Sequence, residues 1–533
     1  MTHEEHTLAE AAAEVRAGRV TSGELVEEAL ARAERYDDRL GVFLARFDER
    51  AREAAAAADA AVGSGEPLGP LHGVPIGVKD ILATEEGPST AQSRVMEGIW
   101  DVEEAAAVRR LRRAGAIVVG KTSTLEFAYG LPDSTLPFPV PANPWDASRW
   151  PGGSSSGSGA GVAAGMMLGA LGTDTGGSVR VPAAMCGITG HKPTTGLVDD
   201  RGLVPLAHSV DTIGPMARTA RDCALMLEVL TGSPAAPPLD RLDGVRVGVA
   251  TMAEVAGDGA DPAVPERLAA AVDHLERLGA SVVAVTLPLH DVMVDASFLT
   301  IAAERLSWHR PLLPDSWDRY GASAREGITR AAHYSAADYV QAQRVRRQGQ
   351  LALAALFDTV DVVVSPMCSR TAPPLGDIGE CMRTWKSLVH APYWNSAGNP
   401  AASVPIGFAA DGMPLGLQIA GRPFEDALVL QVAEAYQRVT DWHTRRPDLS
   451  AIDAAAPGSV AGPLRPPALD TVDPTDAALA RALLERAGIV PSDGDVATVA
   501  ASLGAAHGAT QRLWEVACGD LPGALGLGYP GRP

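Results

Sequence analysis

From Leu8 to Ala61 apolar residues recur at three- to four-residue spacing in an alanine-rich stretch, which predicts two or three surface helices. Thr21 or Ser22 is placed to cap the segment GELVEEALARAERY, with Glu24 or Glu27 in its first turns. The period then changes. VPIGVKDIL, Val74 to Leu82, is a continuous apolar run interrupted by Lys79 and reads as a buried strand, followed by the helix EEAAAVRRLRRAG and the strand AIVVGKT. Strand, helix, strand at this spacing predicts parallel strands in a covered sheet. Further β-branched runs, RVGVAT, ASVVAVTLP, DVVVSP and AASVPIGF, alternate with helical patterns such as DPAVPERLAAAVDHLERLG. The expected class is α/β: a large mixed, mostly parallel sheet covered by helices on both faces.

Near Ala454 the pattern breaks into AAAPGSVAGPLRPPALDTVDPT, which reads as a linker, and then resumes as two amphipathic helical patterns joined by IVPSDG. The reading divides the chain into a main unit at 1–454, with N-terminal helices at 8–61 and a chemistry-bearing core at about 70–225, a linker at 455–472 and a helical extension at 473–533. A chain of 533 residues exceeds the size at which one core usually stops growing, so one large domain with an appendage is expected.

Charge narrows the function classes. Lys and Arg number 45 against 65 Asp and Glu, a net charge of −20, which disfavours nucleic acid or an anionic membrane as a direct partner because either needs a clustered basic face. The five cysteines form no CxxC pair, so neither a disulfide framework nor a structural zinc site is expected. The start MTHEEHTLAE is acidic and polar, unlike a signal peptide, and the longest apolar stretch, near Gly159 to Gly172, is too short and glycine-rich to span a bilayer. A soluble, cytoplasmic protein is the expectation.

Two serine-glycine segments carry the candidate chemistry: PGGSSSGSG, whose first serine is Ser154, and GTDTGGSVRVP, whose serine is Ser178, 24 positions on. The glycines beside Ser178 let backbone approach a ligand, and consecutive amide N–H groups there can form an oxyanion hole. Ser178 is therefore the candidate nucleophile. A serine hydroxyl needs a base, and a lysine serves only when deprotonated, which burial of Lys79 in an apolar strand promotes. Thr173, Asp174 and Arg180 read as turn stabilisers, Cys186 as a small buried hydrophobe and His72 as a packing residue.

Three other patterns point elsewhere. GAIVVGKT, Gly115 to Thr122, matches the phosphate-loop pattern G-x-x-x-x-G-K-[ST], but its interior AIVV is itself a strand, whereas a phosphate cradle must be a loop. Gly153 to Gly157 matches the nucleophile elbow G-x-S-x-G with Ser155 attacking and His390 or His443 as the late histidine; the polar DASRWPGG before it is no strand. Gly159 to Ala164 resembles a dinucleotide fingerprint and lacks the same strand.

GVPIGVKD, PGGSSSGSGAGVAAG, LGTDTGGSVRVPAAMCGITGHKPTTGLV, DTIGPMARTARDCALML, NSAGNPAASVPIGF and GMPLGLQIAGRPFEDALVL together resemble the amidase signature family in order and spacing, over about residues 8 to 447. The resemblance implies an amidase-signature fold over 1–454 and a Ser-Ser-Lys triad: Ser178 as nucleophile, Ser154 as relay on a cis peptide bond, Lys79 as base. The backbone of Thr175, Gly176, Gly177 and Ser178 would form the oxyanion hole. It implies a hydrolase of linear carbon–nitrogen bonds other than peptide bonds, working through an acyl-enzyme on a small-molecule amide, without metal or organic cofactor, and as a possible homodimer. The alternative is a glutamine-hydrolysing amidotransferase A-type subunit supplying ammonia to a partner. The segment at 473–533 is similar to small helical accessory proteins that pair with some members, although amphipathic helices usually just bury their apolar face.

This sequence departs from the family pattern at Ser156-Gly157-Ser158, at His191 before Lys192-Pro193, and in ILATEEGPSTAQ, which puts the substrate pocket rather than the triad in question. Pocket walls are expected from GLPDSTLPFPVP after Tyr129, with Phe138, and from SRTAPPLGDIGECMRTW, with Arg383 and Trp385.

Overall fold

The computed structural model describes residues 6–64, 67–100, 102–250, 259–379, 384, 388–454 and 469–516. Three N-terminal helices, α1 (Leu8–Arg16), α2 (Ser22–Leu40) and α3 (Asp48–Val62), precede the central strands. Thr21 caps α2: its hydroxyl accepts from the Glu24 amide while the Glu24 carboxylate accepts from the Thr21 amide, a reciprocal pair worth about 1 kcal/mol.

Eleven strands form one sheet: β1 (Phe43–Arg46), β2 (Pro75–Lys79), β3 (Ile117–Thr122), β4 (Gly169–Thr173), β5 (Thr189–Lys192), β6 (Ile213–Ala217), β7 (Arg246–Ala250), β8 (Ser281–Val285), β9 (Val362–Pro366), β10 (Ala401–Phe408) and β11 (Pro414–Gly421). Their order is β1-β3-β2-β4-β6-β5-β10-β11-β9-β7-β8. The sheet is mixed as expected, but parallel pairing is confined to β3-β2-β4 and β9-β7-β8; six of the ten ladders are antiparallel. The strand–helix–strand rhythm holds at those two places. Between them the strands run antiparallel through β6, β5, β10 and β11, and a short apolar run reads the same whichever way its strand points.

The helices that matter below are α4 (Ala106–Arg113), α5 (Ser156–Ala163), α6 (Arg180–Cys186), α7 (Ala220–Thr231), α8 (Ala263–Arg277), α9 (His290–His309), α10 (Ala322–Arg330), α11 (Ala336–Phe357), α12 (Pro392–Ala397), α13 (Asp426–Arg438), α14 (Pro474–Arg486) and α15 (Asp493–Glu515). Helix α5 consists only of small residues and is buried along its whole length. A Cβ at Gly157 would collide with the Val42 carbonyl, and one at Gly161 with the Met167 side chain, so the glycines let this helix lie against its neighbours.

Of the segment at 455–472, residues 455–468 lie outside the described residues, as do Cys381, Arg383, Trp385 and Cys518. Helices α14 and α15 pair with each other, and α15 packs on α9, α10 and α11. Arg512 of α15 reaches the buried Asp295 of α9, Nε to Oδ2 2.7 Å, and Gln341 of α11 donates to the Leu513 carbonyl, 2.8 Å. Among the described residues no helix is long and apolar enough to cross a membrane.

Candidate active site

The C-terminal ends of the parallel strands β2 and β4 place Lys79 and Thr173 side by side. Lys79 is fully buried, and its Nζ contacts two hydroxyls: Ser154 Oγ at 2.7 Å and Thr173 Oγ1 at 2.8 Å. Burial drives the Lys79 pKa down to about 7 against the upward pull of the Asp211 and Asp174 charges. A large fraction of this amine is then neutral at pH 7 and able to accept a proton. Thr173, read from sequence as a turn stabiliser, is instead a direct partner of the lysine.

Ser154 follows a cis Gly153–Ser154 peptide bond. The two serine segments are tied through backbone: the Ser155 amide donates to the Ser178 carbonyl, 3.2 Å. Ser155 itself is engaged elsewhere, its Oγ accepting from the Thr173 amide and facing the Thr173 carbonyl, both at 3.2 Å. An elbow serine would have that hydroxyl free. Ser178 is half-buried, and its hydroxyl makes no hydrogen bond among the described residues.

The turn carrying Ser178 is held by one carboxylate. Asp174 accepts from the Gly177 amide at 2.7 Å, the Val179 amide at 3.2 Å, and Arg180 Nε and Nη2, each at 2.9 Å. Arg180 in turn reaches Asn395 Oδ1 and Gln418 Oε1, both 2.6 Å, and Asn395 Nδ2 returns to Asp174 at 2.7 Å. Burial pushes the Asp174 carboxyl up, but the Arg180 charge and the hydrogen bonds of Arg180 and Asn395 outweigh it and hold it well below the usual carboxylate range. Of the four amides expected at the oxyanion hole, that of Gly177 donates to Asp174 within the turn. The amides of Thr175, Gly176 and Ser178 make no hydrogen bond among the described residues, while the Thr175 hydroxyl donates to Asp211 at 2.6 Å.

Around this turn, side chains close the space beside Gly176 and Gly177. A Cβ at Gly176 would meet Ile301 Cδ1 of α9 at 3.7 Å, and one at Gly177 would press on Ala391 and Val181. The departures at Ser156 and Ser158 are interior packing bonds, to the Gly152 carbonyl at 2.7 Å and to the Leu171 carbonyl at 3.1 Å. His191 likewise faces Asp426 of α13, 3.1 Å away.

The alternative patterns resolve into structure. Gly120, Lys121 and Thr122 of GAIVVGKT lie inside β3, and Lys121 is buried against Asp80, the Leu82 carbonyl and Ser89, at 3.1, 2.7 and 2.9 Å. His390 pairs with Ser369, 2.8 Å, rather than with Ser155. Cys186 donates to the Pro151 carbonyl at 3.3 Å, and burial pushes its thiol up, so it is inert. His72 faces the Ala58 carbonyl, 2.9 Å. Asp211, Asn395, Gln418 and the buried Lys192, whose pKa burial brings down to about 7, carry no role in the sequence reading. They stand 14 to 240 positions from Ser178, and the only signal for them lies in the patterns GHKPTTG, DTIGPM, NSAGNPA and GLQIAG, which fix order without assigning roles.

Three comparisons bear on this site. A family model described as Amidase matches residues 24–430. A subunit of the glutamyl-tRNA(Gln) amidotransferase of Chloroflexus aggregans is 38% identical over 482 residues, covering 83% of this chain and 98% of its own. Among solved structures, one described as an amidase superposes with a TM-score of 0.74 at 31% identity, covering 81% of this chain and 100% of its own. The native peptide amidase of Stenotrophomonas maltophilia gives 0.71 at 28%, covering 83% and 98%.

Proposed function

The chain belongs to the amidase signature family, and on that footing we propose that it cleaves a carbon–nitrogen amide bond through an acyl-enzyme on Ser178. The observation that carries this reading is the fully buried Lys79 Nζ, 2.7 Å from Ser154 Oγ and shifted to a pKa of about 7. Neutral Lys79 takes the proton of Ser154, which takes that of Ser178 as its oxygen attacks the amide carbon. The amides of Thr175, Gly176 and Ser178 stabilise the oxyanion. Collapse breaks the C–N bond as the relay returns the proton to the leaving nitrogen, and water then attacks the ester by the same route.

For the acyl donor the curated relatives favour glutamine, with ammonia passed to a partner protein, since those relatives are subunits of glutamyl-tRNA(Gln) amidotransferases. A second reading, a self-contained amidase for small linear amides, is favoured by the chain's own α14 and α15, which already cover α9, α10 and α11. Ammonia or amine release from glutamine and from a panel of aliphatic, aromatic and carboxylated amides, with Ser178→Ala as blank, separates them. Glutamine turnover supports the first, turnover of other amides alone the second, and turnover by the blank at the wild-type rate overturns both.

A further inference from the structure

Asp211 is a buried carboxylate with no part in the proton relay. It lies two residues before β6, and the β4–β6 ladder carries it to the nucleophile turn. Thr173 is opposite Ile213, the Asp174 amide donates to the Thr212 carbonyl at 2.8 Å, and one step further the Thr175 hydroxyl donates to Asp211 at 2.6 Å. The register thus continues past the strand ends, which makes Thr173 and Asp211 diagonal neighbours, ~7 Å apart. Thr173 is the residue whose hydroxyl touches Lys79 Nζ. Asp211 therefore stands beside the base, and among the described residues the two form no ion pair.

The bonding of Asp211 is that of an ionised group, with both oxygens accepting. Oδ1 takes the Thr175 hydroxyl, and Oδ2 takes the Leu206 amide at 2.9 Å and the Ala207 amide at 3.0 Å. Among the described residues no cation is in ion-pair contact with it. Asp174, the other anion acting on the lysine, is matched by Arg180 at 2.9 Å. The remaining charges here are Lys192 of β5, which acts on Asp174 and Arg180, and Glu304 of α9, held by the Ser209 amide, the Tyr339 hydroxyl and His208. Burial raises the Asp211 carboxyl against its three hydrogen bonds, and Glu304 adds to the rise. Of the two charges that favour the Lys79 ammonium, Asp211 is the stronger.

A buried lysine that serves as a base meets opposed demands. It has to be neutral at rest, which burial secures, and it has to carry a positive charge in mid-reaction within the same apolar surroundings. A touching carboxylate satisfies the second demand and defeats the first. An uncompensated carboxylate one neighbour away satisfies the second and leaves the proton labile. We propose that Asp211 is a positioning residue with two linked tasks: its charge steadies the ammonium that forms when Lys79 takes the relay proton, and its bond to the Thr175 hydroxyl fixes the turn that presents the oxyanion amides. The proposal rests on the amide-hydrolysing reading and adds the group that sets the strength of its base. Asp211 neither gains nor loses a proton in the cycle; the proton moves between Ser154 Oγ and Lys79 Nζ.

Asp211→Asn removes the charge and keeps the shape, since its oxygen can accept from the two amides while its nitrogen donates to the Thr175 hydroxyl. Asp211→Ser is a second uncharged variant, and Asp211→Glu keeps the charge while displacing Thr175. Two readouts apply to the full chain. One is the pH profile of kcat/KM on glutamine or whichever amide of the panel turns over fastest. The other needs no turnover: NMR titration of Lys79 in ¹³C-lysine-labelled Ser178→Ala protein. The chain has four lysines, Lys79, Lys121, Lys192 and Lys386, so the Lys79 signal is assigned by its loss in Lys79→Met. Wild-type Lys79 is expected to titrate at about 7. Both uncharged variants should move that midpoint, and the acid limb of the profile, to lower pH by about one to two units, and lower the plateau about tenfold. Asp211→Glu should lower the plateau and leave the midpoint in place. A lowered plateau with an unmoved or raised Lys79 midpoint in the uncharged variants would make Asp211 a purely structural tie and overturn the proposal. A midpoint that drops with the charge, in a protein that turns over no amide at any pH, would overturn the hydrolytic reading and leave the action of Asp211 on Lys79 standing.

Discussion

Lys79 and Lys121 sit on adjacent parallel strands, one residue out of step: Val78 is opposite Lys121, and Lys79 opposite Thr122. Paired residues share a face and successive ones alternate, so the two lysines point to opposite sides of the sheet. Both are buried, and burial lowers both pKa values. What differs is the company. Lys121 has Asp80 at 3.1 Å, which pulls its proton affinity back up and makes its charge part of the fold. Among the described residues Lys79 hydrogen-bonds to hydroxyls alone, with Asp211 and Asp174 acting through space. Removing a lysine from water makes its proton labile; a touching carboxylate restores it.

The most severe way to break this contrast is to remove each amine. Lys79→Met is expected to lower kcat/KM by on the order of 10⁴-fold, measured by ammonia or amine release, while leaving the denaturation midpoint close to wild type. Lys121→Met should do the opposite, costing about 3–5 kcal/mol in denaturant unfolding because Asp80 is left buried and unpaired; adding Asp80→Asn should recover much of it. If Lys121→Met were merely inactive and fully stable, the contrast would collapse.

pH sharpens it further. As pH falls below about 7, Lys79 becomes protonated, and kcat/KM should drop close to tenfold per unit, whereas a profile flat to pH 5 would remove the neutral base. The sign for stability follows: the folded pKa is depressed below the ordinary lysine value of 10.5, so the unfolded chain binds the extra proton between about 7 and 10.5 and stability rises with pH across that window. Lys79→Met should flatten that rise. The mildest probe is Thr173→Val, which deletes one of the two hydroxyls on Nζ and should cost about tenfold in kcat/KM with little loss of stability.

Much of the frame was legible in the chain. Val74 to Leu82 and Ala116 to Thr122 read as strands because their apolar runs are continuous, and Thr21 reads as a cap because Glu24 stands three residues on. β1 went unread: four residues long, it pairs at the sheet edge and is only partly buried, so it carries no periodic signal. β5 and β6, TGHK and IGPMA, went unread as strands because glycine and proline dilute their propensity and tertiary pairing supplies what the sequence lacks. At the site, residue types pointed to Lys79 and Ser178, and the family resemblance to Ser154. They could not reveal that the Gly177 amide is occupied, or that Thr173 faces the lysine, since both depend on where a side chain arrives after folding.

The placement of Lys79 at the last position of β2 makes strand register a chemical variable. Sliding β2 by a single residue against β4 would present Val78 or Asp80 at the point now held by the amine: a hydrocarbon or an acid in place of a base. Length is therefore constrained more tightly than identity along Val74 to Lys79. A one-residue insertion there changes the reaction the sheet can support, while most apolar exchanges only change how firmly it is held.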